Sequence, residues 1–215
     1  MSVKLILASS SPRRREILRS LGIAFETIDP AAEELDGPRA ARLGLAPGQL
    51  VRENARRKAE AGRVAFAPAG ASAHVRNLFL GVDTIVVKDG IVLSKPGNVS
   101  DARRMLSRLQ GARHEVLSGL CLASSDGLEV VSSCRTEVEF APMSGPELDW
   151  YLSTGEYSDK AGAYGIQGLA SLFVKEIEGC YFNVVGLPVR TLYEALSKLN
   201  VPVAGLRTGQ GGADR

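Results

Sequence analysis

Residues 78–93 read L-F-L-G-V-D-T-I-V-V-K-D-G-I-V-L. From Leu78 to Val87 the run is apolar and β-branched, then Asp89-Gly90 intervenes, and Ile91, Val92 and Leu93 resume the apolar pattern. An Asp-Gly pair between two such runs is the sequence signature of a tight hairpin, because both central positions of the favoured turn need positive φ. The stretch therefore predicts a long strand that folds back on a short one. It also carries an anomaly. Asp83 sits in the middle of the strand, where aspartate is depleted. A two-residue turn places Lys95 opposite Thr84, one step from Asp83, and a bulge would bring acid and base to one face. An ordinary cross-strand ion pair would look the same from sequence.

Upstream, Leu5 to Ala8 reads as a short buried strand, Ser9, Ser10 and Ser11 as a polar junction, and Pro12 as the opening of a helix that Gly22 ends. After an acidic stretch with Asp29, Glu33 and Glu34, a helical pattern runs from about Pro47 to Val64. The Ala-, Gly-, Pro- and Ser-rich segment 66–77 predicts a surface loop. Downstream, Ser100 to Gln110 reads as a helix, Glu115 to Ala123 and Leu128 to Phe140 as strands, and Ser144 with Glu147 as a capping box for a helix to about Ser153. Leu172 to Ile177 reads as a further strand, and Val189, Leu192, Tyr193 and Leu196 line a last helix. Residues 1–204 are expected to form one domain, and the glycine-rich tail 205–215 to be disordered. Strands and helices mixed in this order indicate an α/β or α+β sheet protein.

Composition narrows the function classes. The 215 residues carry 26 Lys and Arg against 24 Asp and Glu, a net charge of +2, so no global basic field favours nucleic acid and any anion site must be local. Cys121, Cys134 and Cys180 are odd in number and lack a C-x-x-C pair, against both a disulfide framework and a zinc knuckle. No apolar run reaches membrane length. These features fit a soluble cytoplasmic protein with no membrane partner.

Three further segments carry chemistry. In S-S-S-P-R-R-R (9–15), Ser11 is suited to the N-cap and Pro12 to the first helical position, so backbone N–H groups should point out of the junction. Arg13, Arg14 and Arg15 then stand where the helix dipole disfavours cations, by roughly 0.3–1 kcal/mol each when exposed, a penalty a bound polyanion would reverse. A solvated basic helix start is the plain alternative. Lys58 falls on the apolar stripe of its helix with Val51 and Ala55, where it either snorkels to water or lines an anionic cleft. In D-K-A-G-A-Y-G-I-Q-G (159–168), three glycines permit close backbone approach, and Gln167 offers an amide that both donates and accepts, as reading a base edge requires. His74 and His114 lack partners at metal spacing and read as surface or turn residues.

Together the S-x-S-P-R-R opening, the G-x-D-T strand, the downstream K-P and D-K-A-G-A-Y-G-I-Q-G resemble the Maf family of nucleoside triphosphate pyrophosphatases, from about Leu5 to Leu199. The resemblance implies an elongated mixed-sheet α/β fold of the Maf/ITPase-like kind, with two lobes around a central cleft. It also implies a divalent metal (Mg or Mn), a cytoplasmic location and a homodimer. By position, Asp83 matches the proton acceptor, and Arg13, Thr84 and Gln167 match positions tied to base selection. Ser9, Arg14, Glu33, Lys58 and Lys95 match the other residues lining the site. The form with Gln167 looks like the branch acting on dTTP and UTP, distinct from the branch acting on 7-methyl-GTP.

These pieces converge on one scheme. Arg13, Arg14, Lys58 and Lys95 neutralise a triphosphate, Asp83 and Glu33 hold the metal, and Asp83 takes a proton from the attacking water. A nonenzymatic nucleotide-binding regulator of cell division or shape would use the same cationic cleft.

Overall fold

The structure is a computed structural model that describes residues 2–66 and 75–207. In chain order the elements are β1 (Ser2–Ala8), α1 (Pro12–Ser20), β2 (Glu26–Ile28), α2 (Gly37–Arg42), α3 (Pro47–Phe66), β3 (Val75–Lys88) and β4 (Ile91–Leu93), then α4 (Val99–Leu109), β5 (Arg113–Ser124), β6 (Glu129–Phe140), α5 (Gly145–Ser153), β7 (Val174–Glu178), α6 (Tyr181–Val185) and α7 (Val189–Lys198). One seven-stranded mixed sheet runs in the order β2-β1-β3-β5-β6-β7, and β4 pairs with the end of β3. β1 is parallel to both β2 and β3, while every pairing from β3 to β7 is antiparallel. The α/β class expected from the alternation of elements is the one observed.

The hairpin forms as its sequence requires. Asp89 and Gly90 both have positive φ (50° and 75°), and Lys88 faces Ile91 across the turn. Side chains alternate across the sheet, so successive residues of β3 serve two different cores. Leu78, Leu80, Val82 and Val86 join the larger core, with Leu106, Tyr151 and Leu192 from α4, α5 and α7. Phe79, Ile85 and Val87 face the other way, toward α3, which contributes Leu50, Val51, Ala55 and Ala59.

α3 lies in backbone contact with the sheet at two glycines. A Cβ on Gly81 would stand 2.0 Å from the Ala55 carbonyl oxygen, and one on Gly119 would stand 2.0 Å from that of Val51. Gly119 is the cross-strand partner of Asp83, so both glycines share a sheet face with the acid. The missing side chains let the helix sink onto the sheet and bring its polar groups to Asp83.

The sequence did not reveal β2, α2 or α6, of three, six and five residues, because elements this short carry no full hydrophobic period. The strand expected from Leu172 begins only at Val174, after a 3₁₀ segment, Leu169–Phe173. Of the expected loop 66–77, residues 67–74 lie outside the described residues, while Phe66 closes α3 and Val75, Arg76 and Asn77 open β3, so the ends are helix and strand and not loop. Most of the expected tail, 208–215, also lies outside them. Gly205 to Arg207, expected to be unpacked, are instead held. Leu206 is buried, its carbonyl accepts from the Ala24 amide, and Arg207 bridges Ile23.

Gly81→Ala and Gly119→Ala are each expected to cost about 3 kcal/mol or more, since the clash is with helix backbone and no rotamer relieves it. Gly48→Ala, near the start of α3 with nothing within 4 Å, is the control and should be neutral or stabilising. Urea denaturation at neutral pH measures both.

Candidate active site

β1 ends at Ala8, opposite Gly81, and along β3 the pairing with β4 starts only at Val86, opposite Leu93. Between them, residues 82–85 of β3 keep β5 on one side and have no strand on the other. A cavity of about 740 Å³ opens there, within the roughly 300–1,000 Å³ usual for small-molecule sites. Its walls come from the β1–α1 junction, the segment before α2, α3, β3, residues 159–168 and the end of α6.

Asp83 is 5% exposed and Lys58 is 7% exposed, so the lysine does not snorkel. Lys58 Nζ donates to Asp83 Oδ1 at 2.8 Å, and Asn54 Nδ2 donates to Asp83 Oδ2 at 3.0 Å. Asn54 stands one helical turn before Lys58, on the same face of α3. Its amide also grips Leu35, accepting from the Leu35 N–H at 2.8 Å and donating to its carbonyl at 2.9 Å. That grip places Glu34 beside the site, where its carboxylate lies 2.9 Å from Lys58 Nζ. Burial, the largest single influence, pushes the Asp83 carboxyl up. The Lys58 charge and hydrogen bond, the Asn54 amide and the Arg14 charge together outweigh it and hold the group below the ordinary carboxylate value. Asp83 is thus a buried acid kept ionised.

Thr84, the next residue, points to the opposite face. Its Oγ1 lies 2.8 Å from Ser118 Oγ, and the Arg14 guanidinium reaches it at 3.4 Å. Arg14 is buried and spends its donors on neutral acceptors, the Gly186 carbonyl at 2.9 Å and Ser9 Oγ at 2.9 Å. Burial pulls its pKa down to about 10, with Asp83 and Glu34 opposing, so the group stays charged at neutral pH. The hydroxyl of Ser11, at the N-cap position of α1, makes no capping bond and lines the cavity with Ser9 and Ser10. A buried guanidinium beside an open helix N-terminus leaves local positive potential facing the cavity.

Arg13 spans to the other wall, donating from Nη1 to Asp159 Oδ2 at 2.8 Å. Lys160 holds the second Asp159 oxygen at 2.6 Å. Burial raises the Asp159 carboxyl, but hydrogen bonds from Lys160 and Arg13 outweigh it and bring it down to about 2. Gln167 is exposed on the cavity wall, and Lys95 also faces the space.

Of the residues singled out by sequence, Ser9, Arg13, Arg14, Lys58, Asp83, Thr84, Lys95 and Gln167 line this one cavity. Two expectations need correction. Lys95 is not the partner of Asp83: the β3–β4 ladder stops at Val86–Leu93, so Lys95 lies beyond it, exposed and without an ion pair among the described residues. The charge on Asp83 is met from the helix side by Lys58. Glu33 is likewise not at the cavity; it is exposed and paired with Arg39 at 2.5 Å, and the adjacent Glu34, itself half-exposed, lines the cavity instead. His114 is buried in β5, with Nε2 2.8 Å from the Tyr164 hydroxyl and its pKa lowered by burial to about 4. It is a core residue rather than a surface or turn one. His74 lies outside the described residues.

The sequence matches the family description "Maf-like protein" over residues 4–199. The chain belongs to the Maf family. A Maf relative from Symbiobacterium thermophilum named "dTTP/UTP pyrophosphatase" is 44% identical over 200 residues, covering 93% of this chain and 96% of its own. Another of the same name from Chlorobaculum tepidum is 46% identical over 197 residues, covering 91% and 95%. A solved structure titled a nucleoside-triphosphatase / dITP/XTP pyrophosphatase, from Mycobacterium abscessus, superposes with a TM-score of 0.35 at 19% identity over 65% of this chain and 75% of that one. That likeness is too slight to carry an argument.

The sequence reading of this Maf chain missed Asn54 and Gly186, and it named Glu34, Asp159 and Lys160 only as members of their segments, with no role for each. Asn54 was findable from its four-residue spacing to Lys58. Nothing local marked the Gly186 carbonyl, which meets Arg14 across 172 residues.

Replacing Lys58 by Met is expected to invert the pH dependence of stability. In the wild type Asp83 has a depressed folded pKa, so its contribution is full above the unfolded value of about 3.9 and is lost as pH falls further. Without Lys58, burial dominates, the folded pKa rises above the unfolded one, and the contribution is lost as pH rises toward 7. The variant should lose about 3–5 kcal/mol at pH 7 and less at pH 4. Urea titrations at both values decide it, and an unchanged pH slope would remove Lys58 as the controlling partner.

Proposed function

We propose that this Maf protein hydrolyses dTTP and UTP between the α and β phosphates, giving the nucleoside monophosphate and pyrophosphate. The observation that carries the reading is a buried, ionised carboxylate on the wall of a cavity that also presents Arg14, Lys58 and Lys95. In an enclosed polar site such fixed cations act on the charge of a polyphosphate without reorganising during reaction. The names of relatives at 44–46% identity over more than nine-tenths of the chain supply the substrate pair.

Arg14 and Lys95 bind phosphate oxygens, and the first turn of α1, after the Ser11 N-cap and Pro12, offers the N–H groups of Arg13 and Arg14 to the same chain of phosphates. Asp83 has one donor on each oxygen and keeps lone pairs for a water. Its carboxylate takes a proton as the water oxygen bonds to phosphorus and the anhydride oxygen leaves with pyrophosphate. Lys58 and Asn54 hold the acid in place and keep it ionised. Gln167, with Arg13 and Thr84 nearby in the same walls, meets the base.

A divalent cation, Mg or Mn, belongs to this reading. Asp83 and Glu34 are the carboxylates that would supply hard oxygens to it, but the point on which they converge, at 2.8 and 2.9 Å, is filled by the Lys58 ammonium, so only their remaining lone pairs are open to a cation. When bound it supplies neutralisation of charge on the phosphate oxygens. Among the described residues no group of three or more His, Cys, Asp or Glu converges to hold a metal by protein ligands alone. The homodimer and cytoplasmic setting rest on the family resemblance.

The test is a panel of nucleoside triphosphates with magnesium or manganese, read as pyrophosphate released. dTTP and UTP should lead. Asp83→Asn should lower their turnover by about 10²–10⁴ with a folded circular-dichroism spectrum. Near-normal turnover would take Asp83 out of the base role, and a wild type inert on the whole panel would indicate a nucleotide-binding regulator. Preference for 7-methyl-GTP would place the chain in the other branch. In the same assay Gln167→Glu should shift the ranking among bases, since one donor becomes an acceptor.

A further inference from the structure

Arg13 and Asp159 belong to motifs 146 residues apart and meet across the cavity. The contact has two points: Arg13 Nη1 donates to Asp159 Oδ2 at 2.8 Å, and Nη2 to the Asp159 carbonyl at 3.4 Å. Asp159 is itself fixed from its own side. Lys160 Nζ donates to Asp159 Oδ1 at 2.6 Å and to the Glu156 carbonyl at 2.7 Å, and its stem packs where a Cβ on Gly165 would stand 2.6 Å away. Arg13 has no other hydrogen bond among the described residues, so its guanidinium takes its position from Asp159 alone.

Stability does not account for this arrangement. The Asp159 side chain is 51% exposed and that of Arg13 27%, a setting in which ion pairs contribute little to folding. Electrostatics alone does not account for it either, because a carboxylate on the wall of a polyanion site repels the substrate. What Asp159 supplies is order: one carboxylate, one oxygen to each, fixes two cations that would otherwise sample many rotamers.

We propose that Asp159 is a positioning residue that holds Arg13 and Lys160 across the cavity mouth in the geometry that receives the nucleotide. The proposal rests on the pyrophosphatase reading and deepens it. It makes a prediction whose sign is opposite to that of simple charge. Removing a negative charge from an anion site lowers KM if the charge acts only through its field, and raises KM if the carboxylate is needed to place the cations.

The experiment compares wild type, Asp159→Asn, Asp159→Glu, Arg13→Ala and the Arg13→Ala/Asp159→Asn double variant, with dTTP and magnesium. Asp159→Asn should raise KM about tenfold with kcat within about twofold, and the melting temperature should stay within about 2 °C. Asp159→Glu should recover part of the loss. In the Arg13→Ala background the same Asn substitution should no longer raise KM, because the group it positions is gone. A KM that falls or stays unchanged in Asp159→Asn overturns the proposal, as does an equal rise in both backgrounds. If the wild type releases no pyrophosphate, the enzymatic reading fails separately. Titration calorimetry with a nonhydrolysable dTTP analogue then applies the same sign rule to Kd.

Discussion

The arrangement depends on one buried ion pair, Lys58 to Asp83. Two charged groups, each less than a tenth exposed, are costly to bury unless well partnered, and here each has two polar partners. Lys58 serves Asp83 and Glu34, while Asp83 is served by Lys58 and Asn54. Burial alone would neutralise the carboxylate, and Lys58, Asn54 and Arg14 keep it ionised beside space for a substrate.

The pair exists because backbone meets backbone. α3 crosses the sheet over Gly81 and Gly119, and the closeness of that crossing sets the reach of Asn54 and Lys58 to the acid. The helix also governs its own surroundings, since Asn54 clasps Leu35 from both sides and so fixes the segment that carries Glu34. Packing, through two absent side chains, thus sets the electrostatics of the cavity.

The opposite wall follows a different logic. Arg14 is buried against neutral acceptors and carries its charge to the cavity undiminished by a direct carboxylate partner, whereas Arg13 and Lys160 are both tied to Asp159. β3 unites the two walls because Asp83 and Thr84 point to opposite faces at the one stretch where pairing with β1 has ended and pairing with β4 has not begun. An interrupted sheet edge thereby gives both faces access to a common space.

Much of this was legible in the residues. The Asp89-Gly90 turn, the long strand, the helix of Lys58 and the capping box at Ser144 are local features, written in periods and turn chemistry that neighbouring residues suffice to specify. The acid out of place in a strand and the lysine on an apolar stripe were visible for the same reason, as breaches of a local rule. Their partners were not. Whether Lys95 or Lys58 meets Asp83, and whether Glu33 or Glu34 lines the cavity, depends on where a ladder stops and how closely a helix sits on a sheet. Those are distances between segments far apart in the chain, fixed only when the cores on both faces of β3 close together, so only the tertiary structure decided them.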